Sequence, residues 1–154
     1  MRAAKPILLP SLTIATALLL SACNTTNQTQ QTAMVDDWSS VTDKEWVLTK
    51  VTEGNRTLEP MSPVLASANF ASDGKIAGST GCNRYFGNYT RSESGLTMSP
   101  LGATQMMCME DAMEIEHAFT SAMEDVADWK VIDTTLSLSD SSGKVIMEFG
   151  PIAR

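Results

Sequence analysis

The stretch Leu65-Ala66-Ser67-Ala68-Asn69-Phe70-Ala71-Ser72-Asp73-Gly74-Lys75-Ile76-Ala77-Gly78-Ser79-Thr80 sets an Asp-Gly pair between two short extended runs. Asp-Gly readily takes the positive φ values of a tight two-strand turn, so the segment predicts a β-hairpin. The same grammar recurs on both sides of it. Upstream, Glu45 to Val51 is rich in β-formers and ends at Gly54-Asn55, a turn. Alternation there sets Trp46, Leu48 and Lys50 on one face and Val47, Thr49 and Val51 on the other. Downstream, Tyr85 to Arg91 and Gly95 to Ser99 flank Ser92-Glu93-Ser94, and Trp129 to Ile132, Thr135 to Ser139 and Lys144 to Phe149 end the chain. Ser141-Ser142-Gly143 forms the last turn.

One segment breaks the series. From Glu110 to about Ala127, residues Ala112, Ile115, Phe119, Ala122 and Val126, with Met113 and Met123 beside them, recur at the 3 and 4 spacing of one buried helical stripe. Glu114, Thr120, Ser121, Glu124 and Asp125 fall opposite, and Glu110-Asp111 complement the dipole of the first turn. Eight strands and one amphipathic helix predict an α+β fold: a strongly curved antiparallel sheet or cracked β-barrel with the helix packed on it.

The N-terminus carries a different signal. Arg2 and Lys5 precede an apolar run from Ile7 to Leu20, followed by Leu20-Ser21-Ala22-Cys23, which reads as a bacterial lipobox. The run contains Pro10 and falls short of the ~20 residues that cross a bilayer. Residues 1–22 are therefore expected to be a lipoprotein signal peptide and Cys23 the lipidated first residue of the mature chain. Residues 23–37, rich in Asn, Gln and Thr, read as a solvated tether, and 38–154 as one domain. Asn24 is not the Asp that marks inner-membrane retention, so the expected place is the outer membrane, facing the periplasm.

Of the 154 residues, 11 are Lys or Arg and 18 are Asp or Glu, and loss of Arg2 and Lys5 with the signal leaves the balance more acidic still. Such a surface repels phosphates and anionic head groups, which argues against nucleic acid as a partner. Lipidation of Cys23 leaves Cys82 and Cys108 as a pair in an oxidising compartment. A disulfide between them is the simplest outcome, with a redox-active pair or two free thiols as alternatives. The loop closed by that disulfide is worth about 3 kcal/mol of chain entropy.

The residues that could carry chemistry are few. His117 is the only histidine, which excludes two-histidine zinc sites, and its mid-helix place suits an edge-of-core or solvated residue. Gly78-Ser79-Thr80-Gly81 lacks the lysine of a phosphate loop. Met106, Met107, Cys108, Met109 and Met113 suggest a soft metal such as Cu(I), but methionines beside a buried helix more often fill a core. No metal or other cofactor is expected. The densest stretch is Gly81-Cys82-Asn83-Arg84-Tyr85-Phe86-Gly87-Asn88-Tyr89, either a stapled corner whose Asn83 satisfies backbone groups or a recognition surface of Asn83, Arg84, Tyr85 and Tyr89.

At these residues the chain resembles the META domain family, also called HslJ-like. The resemblance runs in order through Trp46-Val47-Leu48, Asp73 to Gly78, Gly81 to Tyr89, Leu101 to Cys108, Glu116 with Phe119, and Leu136-Ser137-Leu138. It implies a small α+β domain shaped like a cracked antiparallel barrel with one helix, and a bond between Cys82 and Cys108. It implies an envelope or secreted protein tied to stress tolerance, with no catalytic residues to carry over. The expectation is thus a non-enzymatic envelope lipoprotein, held to the membrane by its lipid and acting on an unknown envelope protein. The alternative is a carrier or pilotin-like chaperone with an apolar ligand in the barrel.

Overall fold

The computed structural model describes residues 34–35, 37–92 and 95–152. The expected signal peptide and Cys23 lie outside the described residues, as does most of the expected tether. All described residues belong to one unit, Thr32–Arg154. Its elements are β1 (Met34–Val35), β2 (Glu45–Glu53), β3 (Arg56–Leu58), β4 (Ala66–Phe70), β5 (Lys75–Thr80), β6 (Arg84–Ser92), β7 (Gly95–Met98), β8 (Gly102–Ala103), α1 (Glu110–Asp125), β9 (Asp128–Ile132), β10 (Thr135–Ser139) and β11 (Val145–Pro151). A 3-10 turn spans Trp38–Ser40.

Every strand pair is antiparallel, in the order β1-β9-β10-β11-β2-β4-β5-β6-β7, with β3 on β2 and β8 on β6 as side rungs. The eight predicted strands are β2, β4 to β7 and β9 to β11, and the predicted helix is α1. Sequence reading missed β1, β3 and β8, which have two or three residues each and too little alternation to register. Met34 and Val35, within the stretch read as a tether, pair with Ile132 and Val131.

Two hairpins share one turn device. In the first, Ala71 N–H donates to Lys75 O at 2.8 Å and Gly74 N–H to Ala71 O at 3.0 Å, with Gly74 at φ +86°. In the last, Asp140 N–H donates to Lys144 O at 3.0 Å and Gly143 N–H to Asp140 O at 2.9 Å, with Gly143 at φ +83°. An aspartate caps each turn. The Lys75 side chain and backbone hydrogen-bond Asp73, and Ser142 with the Lys144 backbone hydrogen-bonds Asp140; both carboxyls lie below the usual range for that reason.

Strand β2 corrects the predicted faces. Trp46 and Leu48 point inward as expected, but Val51 is buried and Lys50 is exposed beside Glu148, 3.3 Å away. The register explains it: Leu48 pairs with Phe149 and Lys50 with Glu148, so Thr49 is an extra residue on β2. Such a bulge bends the strand and exchanges the faces beyond it. A second one, at Ile146 on β11, leaves Ile146 and Met147 both buried. These two irregularities help curl the sheet.

Curling brings β7 against the β9 end. Leu96 N–H donates to Ala127 O at 2.9 Å across the seam. Gly95, at φ +138°, allows the approach, because a Cβ there would overlap the Ala127 carbonyl oxygen. Trp38 fills the remaining gap. Its ring meets Phe70, Tyr89 and Trp129 edge-on at centroid distances of 5.4, 5.4 and 4.7 Å, and its Nε1–H donates to Tyr89 Oη at 3.1 Å. The Tyr89 hydroxyl in turn donates to Ala71 O at 2.6 Å.

Helix α1 covers the barrel beside β2, β5 and β11. Its buried face is Ala112, Ile115, Ala118, Phe119, Ala122 and Met123, with Val126 following; the predicted Met113 lies outward instead. Phe119 reaches Tyr85 and Phe149, at centroid distances of 5.2 and 6.4 Å. The interior is one cluster containing Phe70, Tyr85, Phe119, Phe149, Ile76, Leu96, Leu136 and Leu138.

The seam role of Trp38 is measurable by urea unfolding. Trp38→Ala should lower stability by about 3–5 kcal/mol, as for large aromatic truncations in cores. Trp38→Phe keeps a ring but loses the bond to Tyr89 and should cost about 1 kcal/mol beyond its packing change. A loss under 1 kcal/mol for the alanine variant would show that the seam closes without it.

Candidate functional site

The densest motif forms a knot where three elements meet. Beyond β5 the backbone turns through Gly81, at φ +100°, where a Cβ would crowd Val64 and Ile115. Thr80 N–H donates to Asn83 O at 2.8 Å, and Asn83 N–H donates to Thr80 Oγ1 at 2.9 Å, closing the turn. The Thr80 hydroxyl lies 2.8 Å from Glu116 Oε2 and 3.0 Å from Asn83 O. That carbonyl already receives the Thr80 N–H, so the hydroxyl hydrogen serves Glu116 best.

Asn83 is 2% exposed and its amide is saturated. Oδ1 accepts from Thr104 Oγ1 at 2.7 Å and from Met106 N–H at 2.8 Å. Nδ2 donates to Glu116 Oε2 at 2.9 Å and Oε1 at 3.1 Å, and to Met106 O at 3.2 Å. The amide orientation follows from chemistry, since only an oxygen can meet the Met106 N–H and only an N–H can meet the carboxylate. One residue thus joins the sheet corner, the strap Thr104–Met109 and α1. Cys82 and Cys108 are bonded, with Cα atoms 5.8 Å apart, and fix the far end of that strap.

Of the two readings of this stretch, the stapled corner whose Asn83 satisfies backbone groups is the one the geometry matches, and the alternative recognition surface is corrected. Asn83, Tyr85 and Tyr89 are buried, and of the four only Arg84 is exposed. Tyr85 points into the core and donates to Ser67 O at 3.1 Å, and burial pushes its phenol above the usual range. Glu116 was missed as a member of the knot. It stands at the 4-3-4 spacing of Ala112, Phe119 and Met123, and a carboxylate on an apolar stripe is the signal that could have found it.

The methionine cluster is also corrected. Core filling holds for Met123 and Met147, which are buried, but Met106, Met107, Met109 and Met113 are exposed, Met107 by 97%. Asn83 grips the strap through the Met106 backbone, which leaves the methionine side chains on the surface. The disulfide occupies both remaining sulfurs of the described cysteines, so neither can act as a thiolate ligand. His117 is solvated and its Nε2 lies 3.3 Å from Glu53 Oε1. Arg56 bridges Glu114 at 2.7 Å and Glu53 at 3.6 Å beside it.

Next to the knot lies a groove of about 450 Å³ between β3, the segment 59–64 and the start of α1. Leu58, Val64 and Ile115 give it apolar walls, and Met61 and Met109 flank it.

A META domain model matches residues 39–151. Among solved structures, the solution structure of a protein from Burkholderia xenovorans is 25% identical, with a TM-score of 0.62, covering 75% of this chain and 86% of that one. A second solution structure is 20% identical, with a TM-score of 0.57, over 75% of this chain and 95% of the other. A crystal structure of a DUF4847 family protein from Bacteroides vulgatus is 14% identical, with a TM-score of 0.53, over 73% and 95%. The last two show likeness of fold alone. No curated protein matches the chain in sequence.

Removing the Asn83 amide strands a backbone N–H, a backbone C=O and a hydroxyl, and leaves the Glu116 carboxylate with Thr80 alone. Asn83→Ala should therefore cost about 3 kcal/mol in denaturant unfolding. Asn83→Asp should cost at least as much at neutral pH, because it sets two carboxylates within hydrogen-bond reach. Near-neutral effects from both would deny Asn83 its joining role. Thiol titration of the unfolded, unreduced chain from residue 24 onward should find none, and two reactive thiols would remove the cross-link.

Proposed function

The chain belongs to the META domain family, and from that membership and its N-terminal motif we propose a lipid-anchored envelope protein that acts by binding a partner rather than by catalysis. The observation that carries this reading is the use of the motif residues. Thr80, Asn83 and Glu116 spend their donors and acceptors on one another and on the strap, as a scaffold does. A reaction centre instead keeps groups free to meet substrate. His117 is solvated and paired with Glu53 rather than with a nucleophile.

Anchoring rests on Cys23, whose acyl chains would sit in the outer membrane with the domain facing the periplasm, where it would support envelope integrity under stress. A diacylglycerol and a further acyl chain, at about 0.8 kcal/mol per buried CH₂, hold such a protein durably. The Cys82–Cys108 bond suits that oxidising compartment. The carrier alternative finds less support, because Phe70, Tyr85, Phe119 and Phe149 occupy the barrel interior and Trp38 plugs its seam.

Cells fed an alkynyl palmitate should label the wild-type protein and leave Cys23→Ala unlabelled. Label on the variant, or none on the wild type, would sink the anchor. Photo-crosslinking amino acids placed in intact cells over several exposed faces should give a discrete protein adduct from at least one of them. No adduct from any face would sink the binding reading.

A further inference from the structure

We propose that the groove between β3, segment 59–64 and the start of α1 receives a cationic amphipathic peptide segment of a partner protein; this rests on the binding reading above and names its site and the chemistry of its partner. The groove combines two features. Its floor and walls include Leu58, Val64 and Ile115, and Met61 and Met109 stand over them 74% and 68% exposed. Methionine is unbranched and polarisable, and surfaces lined by it repack around different apolar side chains. At about 450 Å³ the groove is in the range of binding pockets, roughly 300–1,000 Å³.

The second feature is charge. Glu59, Asp111 and Glu114 line the groove, and no Lys, Arg or His does. Arg56 pairs with Glu114, whereas Glu59 and Asp111 have no cationic partner among the described residues. The local field is therefore negative in a molecule already acidic overall. A matching segment places one or two apolar side chains between Met61 and Met109 and turns Lys or Arg toward Glu59 and Asp111.

Other occupants fit less well on the same grounds. The chain's own tether, Asn24 to Asp37, holds no Lys or Arg and ends in Asp36-Asp37. A second copy would bring the same acidic rim against itself, and anionic lipid head groups would be repelled.

The test uses fluorescence anisotropy with a fluorescein-labelled amphipathic peptide of Leu and Lys, titrated with the unlipidated mature chain, residues 24–154, which contains the whole described fold. A peptide of Leu and Glu is the control. Saturable binding is expected for the Leu-Lys peptide only. Met61→Gln with Met109→Gln should weaken it about tenfold, as loss of central apolar anchors does. Glu59→Gln with Asp111→Asn should weaken it about tenfold and flatten its salt dependence. Glu124→Gln with Asp125→Asn, at the far end of α1, should leave it unchanged. All six positions are exposed, so these variants keep the fold, which circular dichroism checks.

Absence of saturable binding, equal binding of both peptides, indifference to the methionine pair, or equal loss in the distant control would each overturn the proposal. If the peptide fails while cells yield an adduct at another face, the groove falls and the binding reading stands. No adduct at any face removes both.

Discussion

A buried primary amide holds this domain together. Asn83 can stay at 2% exposure only because each of its polar atoms is met by the fold, and the groups that meet it come from two separate segments, the strap and α1. A buried amide without partners is costly, so the corner, the strap and α1 must assemble in one arrangement or not at all. Hydrophobic burial alone would tolerate many positions of the helix on the sheet. The Asn83-Glu116 contact selects one, with Gly81 leaving room for Ile115 behind it.

The barrel depends on that selection. Eight strands with two bulges curl until β7 reaches the β9 end, but only one backbone hydrogen bond across the seam is described, from Leu96 to Ala127. Trp38 from the N-terminal side and α1 over the open face supply the rest of the closure by packing. Each brings an aromatic or aliphatic stripe into the interior, which leaves it occupied by side chains. The groups that the core does not use lie on the outer surface, at the helix start and along the strap.

Much of the fold was legible in sequence because its signals are local. Asp73-Gly74 and Ser142-Gly143 set the hairpins, and the stripe from Ala112 to Val126 set the helix. Fates decided by distant partners were not legible. Lys50 and Val51 trade faces because of a bulge defined by Phe149 and Glu148 on another strand. Tyr85 and Tyr89 are polar enough for a surface yet lie inward, since Ser67 O and Ala71 O, both 18 residues away, accept their hydroxyls. Of the site, the Cys82–Cys108 pair and the role of Asn83 as a satisfier of backbone groups were within reach. Glu116 was legible only as a carboxylate on the apolar stripe; that a threonine and an asparagine meet it across the fold was not, because both partners are distant in sequence.

The exposed methionines follow from the same constraint. Asn83 binds both the N–H and the C=O of Met106, and the disulfide fixes Cys108, so the strap is held by its backbone and its side chains have nowhere to go but outward. Chain segments held this way lose little entropy when a ligand arrives, because the ordering has been done in folding. Met109 sits at the end of the strap and at the start of α1, the point where the groove's apolar flank and its acidic residue Asp111 come together. The joint that stabilises the domain therefore also orients the proposed groove, and on that reading loosening Asn83 would weaken binding there even though the residue itself is buried.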